Sequence, residues 1–173
     1  KNIKLQPWSG QVDKQPLRLP YAEPGGPDKE LSWATEMLEQ HGYGEIVERQ
    51  QIRTWNLSSI WKLKTARQTF WLKSVPPFFS HEGKALALFA DEQTPDLVAA
   101  DPQRLLLHHL PGEDCYDASL EQMLFMIEKL VDLQWRWHNR RDELLAAGIP
   151  GAQNEILVRC ITDVITGRLD ELN

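Results

Sequence analysis

The spacing of apolar residues changes period along the chain, and each change marks a different kind of element. After Asp28, the residues Leu31, Ala34, Met37 and Leu38 recur at three- and four-residue steps, the interval of one helix face. This predicts a helix capped by Asp28 and ended by Gly42. Over residues 45–75 the apolar positions become β-branched or aromatic and fall into short runs: Ile46, Val47, Ile52, Trp55, Ile60, Trp61, Leu63, Phe70, Trp71 and Val75. Polar breaks at Asn56-Leu57-Ser58-Ser59 and Thr65-Ala66-Arg67-Gln68 divide them into three strands of an antiparallel meander. Pro76-Pro77 stops the third strand. A short helix over residues 81–90 and two further strands, Leu97–Ala100 and Arg104–His108, follow, and Pro111-Gly112 punctuates their end.

The remainder reads as helical. Leu120, Met123, Leu124, Ile127, Leu130, Val131 and Leu133 form a broad apolar stripe that continues through Trp135 and Trp137 to Gly148 and Pro150, and a second helix is predicted over residues 153–172. Both are expected to be core, although Trp135 and Trp137 with Arg136, Arg140 and Arg141 offer a modest protein interface. Residues 1–28 hold five of the eleven prolines (Pro7, Pro16, Pro20, Pro24 and Pro27) and predict an extended arm or a set of turns, with Trp8, Leu17, Leu19 and Tyr21 available for docking. The expected organisation is an arm over 1–28, an α+β lobe with a five-stranded antiparallel sheet and one inserted helix over 29–112, and a helical segment over 113–173. The chain opens on Lys1 and closes on Leu169-Asp170-Glu171-Leu172-Asn173 without a Gly or Pro stop, which suggests a piece of a longer polypeptide.

Composition narrows the classes. The 173 residues are 42% hydrophobic and 25% charged, enough apolar material for one core and unlike a disordered chain. A formal charge of −6 argues against a general nucleic-acid binder. No apolar run approaches the roughly 18 residues that span a bilayer. The two cysteines, Cys115 and Cys160, have no metal-ligand spacing around them and read as reduced thiols of a cytoplasmic protein.

The sharpest chemical signal is a lysine inside a strand followed by a glutamate at a helix start. In Phe70-Trp71-Leu72-Lys73-Ser74-Val75, Lys73 interrupts an apolar run and shares a strand face with Trp71 and Val75. If that face is covered, the ammonium needs a carboxylate or a phosphate. Glu82 opens the next helix and can reach back as the partner. The competing reading places Lys73 at a sheet edge with its ammonium in water, and leaves Glu82 to favour a helix N-terminus.

The order of meander, strand lysine, helix glutamate, two strands and a Pro-Gly joint resembles the N-terminal lobe of the protein-kinase-like fold. The segments Ile52-Arg53-Thr54-Trp55-Asn56-Leu57-Ser58, Phe70-Trp71-Leu72-Lys73, His81-Glu82 and Leu105-Leu106-Leu107-His108-His109-Leu110-Pro111-Gly112-Glu113 are most similar to the aminoglycoside phosphotransferase family of small-molecule kinases. The resemblance implies an ATP-dependent phosphotransferase acting on a small-molecule hydroxyl, with ATP and Mg2+ as cofactors. In it Lys73 would bind the α- and β-phosphates and Glu82 would orient Lys73. Trp71 would face the adenine ring. The segment His108-His109-Leu110 would be the hinge that reads the adenine edge, with the Leu110 amide as donor and the His108 carbonyl as acceptor. Ser58 and Ser59, in the turn of the first hairpin, would approach the phosphates.

Two departures from the family pattern matter. No glycine lies between Gly44 and Gly83, so a Gly-rich phosphate loop is missing, which favours small-molecule kinases over protein kinases. The catalytic His-x-Asp-x-x-x-x-Asn loop is absent, and the Mg2+ ligands are expected beyond Asn173. The nearest mimic, His138-Asn139-Arg140-Arg141-Asp142, is expected on the solvated face of a continuous helix. As written, the chain carries no catalytic residue. A non-catalytic kinase-like domain that binds a nucleotide or a protein is the alternative, and a helical scaffold without the sheet a third reading. A zinc site at His108-His109 is disfavoured because neighbouring strand residues point to opposite faces.

Overall fold

A computed structural model describes residues 19–90, 92, 94–112, 115–151, 158 and 162. Most of the predicted helix over 153–172, Cys160 and the arm residues Trp8 and Leu17 lie outside them. The protein is α+β. Five antiparallel strands, β1 (Ile46–Trp55), β2 (Ser58–Thr65), β3 (Thr69–Ser74), β4 (Leu97–Ala100) and β5 (Arg104–His108), form one sheet in the order β1-β2-β3-β5-β4. The sheet rules out the helical-scaffold reading.

Helix α1 (Gly26–Gln40) begins three residues earlier than expected. Gly25 is the N-cap and Pro27 sits in the first turn, where its missing N–H costs nothing. Asp28 therefore lies inside the first turn, beside the positive end of the helix dipole, and is not the cap. The predicted apolar face holds: Leu31, Ala34 and Leu38 are buried against Leu63, Phe70, Leu72 and Leu106 of the sheet. Each such aliphatic side chain removed from water contributes roughly 1.5–3 kcal/mol. The predicted arm includes a 3-10 turn, Pro20–Ala22, whose Tyr21 is buried and donates its hydroxyl to the Trp55 carbonyl at 3.0 Å.

Helix α2 (Glu82–Leu88) lies against the opposite face of the sheet. Gly83 makes this approach possible, since a Cβ there would stand 2.8 Å from Ala100 Cβ. The sheet thus carries a helix on each side, and the continuous apolar core found among the described residues lies on the α1 side.

Helix α3 (Leu120–His138) is longer than most and starts with a capping box: Ser119 Oγ accepts from the Gln122 amide and Gln122 Oε1 accepts from the Ser119 amide. Its stripe is not core. Leu120, Met123, Leu124, Ile127, Leu130 and Val131 are all exposed, and Trp137 is the helix's one buried residue. Periodicity identifies the apolar side of a helix but not what covers it, and no described element lies over this side. Trp135 and Trp137, two positions apart, diverge: Trp135 is exposed, while Trp137 packs edge-on against Phe89 with centroids 4.6 Å apart. The helix stops at His138 and α4 (Arg141–Ala146) starts afresh, so the predicted continuous run to Gly148 is broken at Asn139-Arg140. The stretch His138–Asp142 accordingly spans a break between two helices. Among the described residues no helix is long and apolar enough to cross a membrane.

Candidate functional site

The strand order decides between the two readings of Lys73. β3 is the central strand of five, so Lys73 is not at an edge. Its ammonium is paired with Glu82 Oε1 at the start of α2, and both side chains are about one-third exposed (30% and 31%). The pairing is made possible by the connection that follows the lysine. Pro76-Pro77 turns the chain out of the sheet, and the 3-10 turn Pro77–Phe79 returns it so that Glu82 begins a helix on the lysine's own face.

The register shows what else stands on that face. Directly paired residues point to the same side, which puts Arg53, Ile60, Lys73, Leu105 and Ala100 in one row. The next row is Gln50, Lys62, Trp71, Leu107 and Leu97. Trp71 donates its indole N–H to His109 Nδ1 at 3.0 Å, and the Lys62 ammonium stands 5.6 Å from the centre of its ring. Arg53 lies 5.7 Å from the Trp55 ring centre and donates to the Tyr116 hydroxyl at 3.5 Å. Arg53, Lys62 and Lys73 together make this face cationic on an acidic chain, and only Lys73 has a carboxylate partner among the described residues.

Ser58 and Ser59 are placed differently from the expectation. The first hairpin turns through Asn56-Leu57 alone, and both serines are the opening residues of β2. Both are buried, and their hydroxyls are engaged inside the hairpin: Trp55 donates its indole N–H to Ser58 Oγ at 2.7 Å, and Ser59 Oγ stands 3.1 Å from Thr54 Oγ1. They also point to opposite faces, so the two hydroxyls do not form one phosphate cradle.

The two histidines part as strand geometry requires. The His108 ring turns to the α1 side, with Nε2 3.2 Å from the Tyr43 hydroxyl and its ring edge-on to Tyr43. His109 turns to the Trp71 side. The His108 amide donates to the Asp96 carbonyl at 2.9 Å and the His109 amide to the Thr69 carbonyl at 3.2 Å. Leu110 is exposed, and its amide makes no hydrogen bond among the described residues. That leaves one free backbone donor next to the row that holds Trp71.

Sequence reasoning brought together Lys73, Glu82 and Trp71 and placed His109 in the hinge segment, but passed over Arg53, Lys62 and the contact of His109 with Trp71. The missing signal was the register: Lys62 is nine positions from Trp71 in sequence, yet opposes it across the β2–β3 ladder. Among the described residues no group of three or more His, Cys, Asp or Glu side chains is gathered as a metal site. No protein-family model, no curated protein and no solved structure matches the chain.

Proposed function

We propose that the chain is the nucleotide-binding portion of an ATP-dependent small-molecule phosphotransferase similar to the aminoglycoside phosphotransferase family. The observation that carries this reading is the ion pair between Lys73 of the central strand and Glu82 of α2. A lysine so fixed presents its remaining N–H donors to the open side of the sheet, where a polyphosphate is the complementary ligand. Trp71 supplies a flat apolar surface two residues away for a purine, and the Leu110 amide supplies a donor for its edge.

In the proposed complex Lys73 neutralises the α- and β-phosphates and Glu82 holds its rotamer. Mg2+ bound with the triphosphate would offset its negative charge. The acceptor is a small-molecule hydroxyl. Proton removal from it needs a base that these 173 residues do not supply in the family's His-x-Asp-x-x-x-x-Asn form. That same feature favours the second reading, a kinase-like module that binds a nucleotide without turning it over. The first reading implies a cytoplasmic protein, where ATP is available and the exposed Cys115 thiol stays reduced.

The test is a thermal-shift and calorimetric titration with Mg-ATP. ATP at 100 times its Kd stabilises the protein by about 2.7 kcal/mol, and Lys73→Met abolishes the shift while the variant keeps its helix and strand signal. An ATP affinity unchanged by Lys73→Met removes the assignment. Binding without phosphoryl transfer to any hydroxyl acceptor, in a protein extended through the whole gene, selects the second reading.

A further inference from the structure

On the α1 side of the sheet, away from the Lys73–Glu82 pair, a cavity of about 310 Å3 opens between the 3-10 turn, the N-terminal half of α1, the end of β3 and the β4–β5 connection. Its walls include Pro20, Tyr21, Val75 and Pro102, and its charged lining is Lys29, Glu30, Asp101 and Arg104. We propose that this cavity is a binding site for a small organic ammonium ion, with the Glu30 carboxylate as its counter-ion.

The charges in the lining are not equivalent. Asp101 is fully engaged: Oδ1 accepts the amides of Gln103 and Arg104 at 2.9 and 2.8 Å, and Oδ2 accepts Arg104 Nε at 2.7 Å. Arg104 is held by that carboxylate and by the face of Trp33, 4.8 Å from its ring centre. Lys29 is exposed. Glu30 differs from all three. It is 7% exposed and forms no ion pair among the described residues. Oε2 accepts the hydroxyl of the buried Ser74, and Oε1 has no partner among the described residues. Trp61 Nε1 is the one fully buried side-chain polar atom without a partner among the described residues, so Glu30 Oε1 keeps access to the cavity.

A carboxylate in such a place is costly unless a cation with N–H donors completes it. Burial pushes the Glu30 carboxyl above its ordinary range, against the Ser74 hydrogen bond and the Arg104 charge, which act the other way. The walls set the rest of the ligand: a short alkyl or cyclic body fits between two prolines, a tyrosine and a valine in a space at the small end of ligand sites. The cavity wall is also fixed in place, because a Cβ at Gly26 would stand 2.1 Å from the Pro20 carbonyl oxygen, so the 3-10 turn is pressed against the start of α1.

The probe is n-butylammonium chloride, compared with n-butanol and with sodium chloride at equal ionic strength. The expected result is a saturable rise in Tm of about 3–5 °C at ten times the Kd, given by the ammonium alone and lost in Glu30→Gln. Backbone amide shifts of the unaltered protein should move first at Glu30, Ser74 and Gln103, which keeps the test valid if the variant folds poorly. An equal rise with n-butanol, an undiminished rise in Glu30→Gln, or shifts centred elsewhere overturns the proposal. Loss of ATP binding by Lys73→Met has no bearing on it, since Lys73 leaves β3 on the opposite face from Ser74.

Discussion

Lys73 and Glu82, nine residues apart, close the gap between the central strand and α2 with one ion pair that is only about one-third exposed (side chains 30% and 31%). A pair in that setting is too wet to be a large source of stability and too dry for its partners to wander. Its worth lies in direction: it holds an ammonium in one rotamer on the open face of the sheet.

Glu82→Gln separates these two roles. The amide keeps the size of the side chain but removes its charge. Unfolding free energy is expected to change by less than about 1 kcal/mol, as for a partly exposed pair. ATP affinity is expected to fall about tenfold to a hundredfold, equivalent to about 1.4–2.8 kcal/mol. Urea denaturation and calorimetry on the same preparation measure both. A fall in stability with no change in ATP affinity would make the pair purely structural.

Trp71 invites a graded test. Its ring is fixed from one edge by His109 and approached by Lys62, so the indole is already oriented before any ligand arrives. Trp71→Ala removes the flat surface and is expected to cost about 1–3 kcal/mol of nucleotide binding, the range for a base stacked on an aromatic ring. Trp71→Phe should recover most of it, since phenylalanine stacks without needing the His109 bond. Equal losses in the two variants would assign the effect to the Trp71–His109 hydrogen bond instead.

The strands were legible because β-branched and aromatic runs such as Phe70-Trp71 are bounded by turns and prolines, and β4 and β5 fall where the pattern places them. The helix pattern located the buried face of α1 because Leu31, Ala34 and Leu38 do meet the sheet. What sequence spacing could not supply was pairing. Whether Lys73 stands at an edge or in the centre depends on β5 inserting between β3 and β4, a long-range choice that no local signal encodes. The same limit hid Lys62 opposite Trp71 and Ser74 beneath Glu30, and it turned the α3 stripe from expected core into open surface. Ser58 and Ser59 misled for a local reason. Polar residues suggest a turn, but these two satisfy Trp55 and Thr54 within the ladder.

Two carboxylates give opposite pH responses. Burial raises the Glu30 carboxyl above the ordinary 4.5. The folded state then holds its proton more firmly than the unfolded state, so stability declines as pH rises from about 4.5 through the raised value. Glu92 is lowered, chiefly by its hydrogen bond from Arg136 and then by that from Trp137. Its contribution is present above 4.5 and is lost as pH falls through the lowered value. Glu30→Gln should therefore gain stability relative to the parent as pH rises above 4.5. Glu92→Gln should lose most at neutral pH and converge with the parent in acid. Urea midpoints across pH 3–8 distinguish the two signs, and parallel curves for parent and variant would refute either assignment.

The open face of α3 makes the last prediction. Leu124, Ile127 and Val131 are 57%, 56% and 53% exposed, and replacing a residue that stays in water on both sides of the folding equilibrium changes little. The triple replacement Leu124→Lys, Ile127→Lys and Val131→Lys should leave the unfolding free energy within about 1 kcal/mol, counting helix propensity and mutual repulsion on one face. It should also cut the binding of a hydrophobic dye and any self-association, because a contiguous apolar patch is removed. Chemical denaturation and light scattering on parent and variant measure these together. A loss of several kcal/mol would mean that another part of the chain covers this face in solution, and Trp135, 78% exposed on the same helix, would then report the cover through its fluorescence.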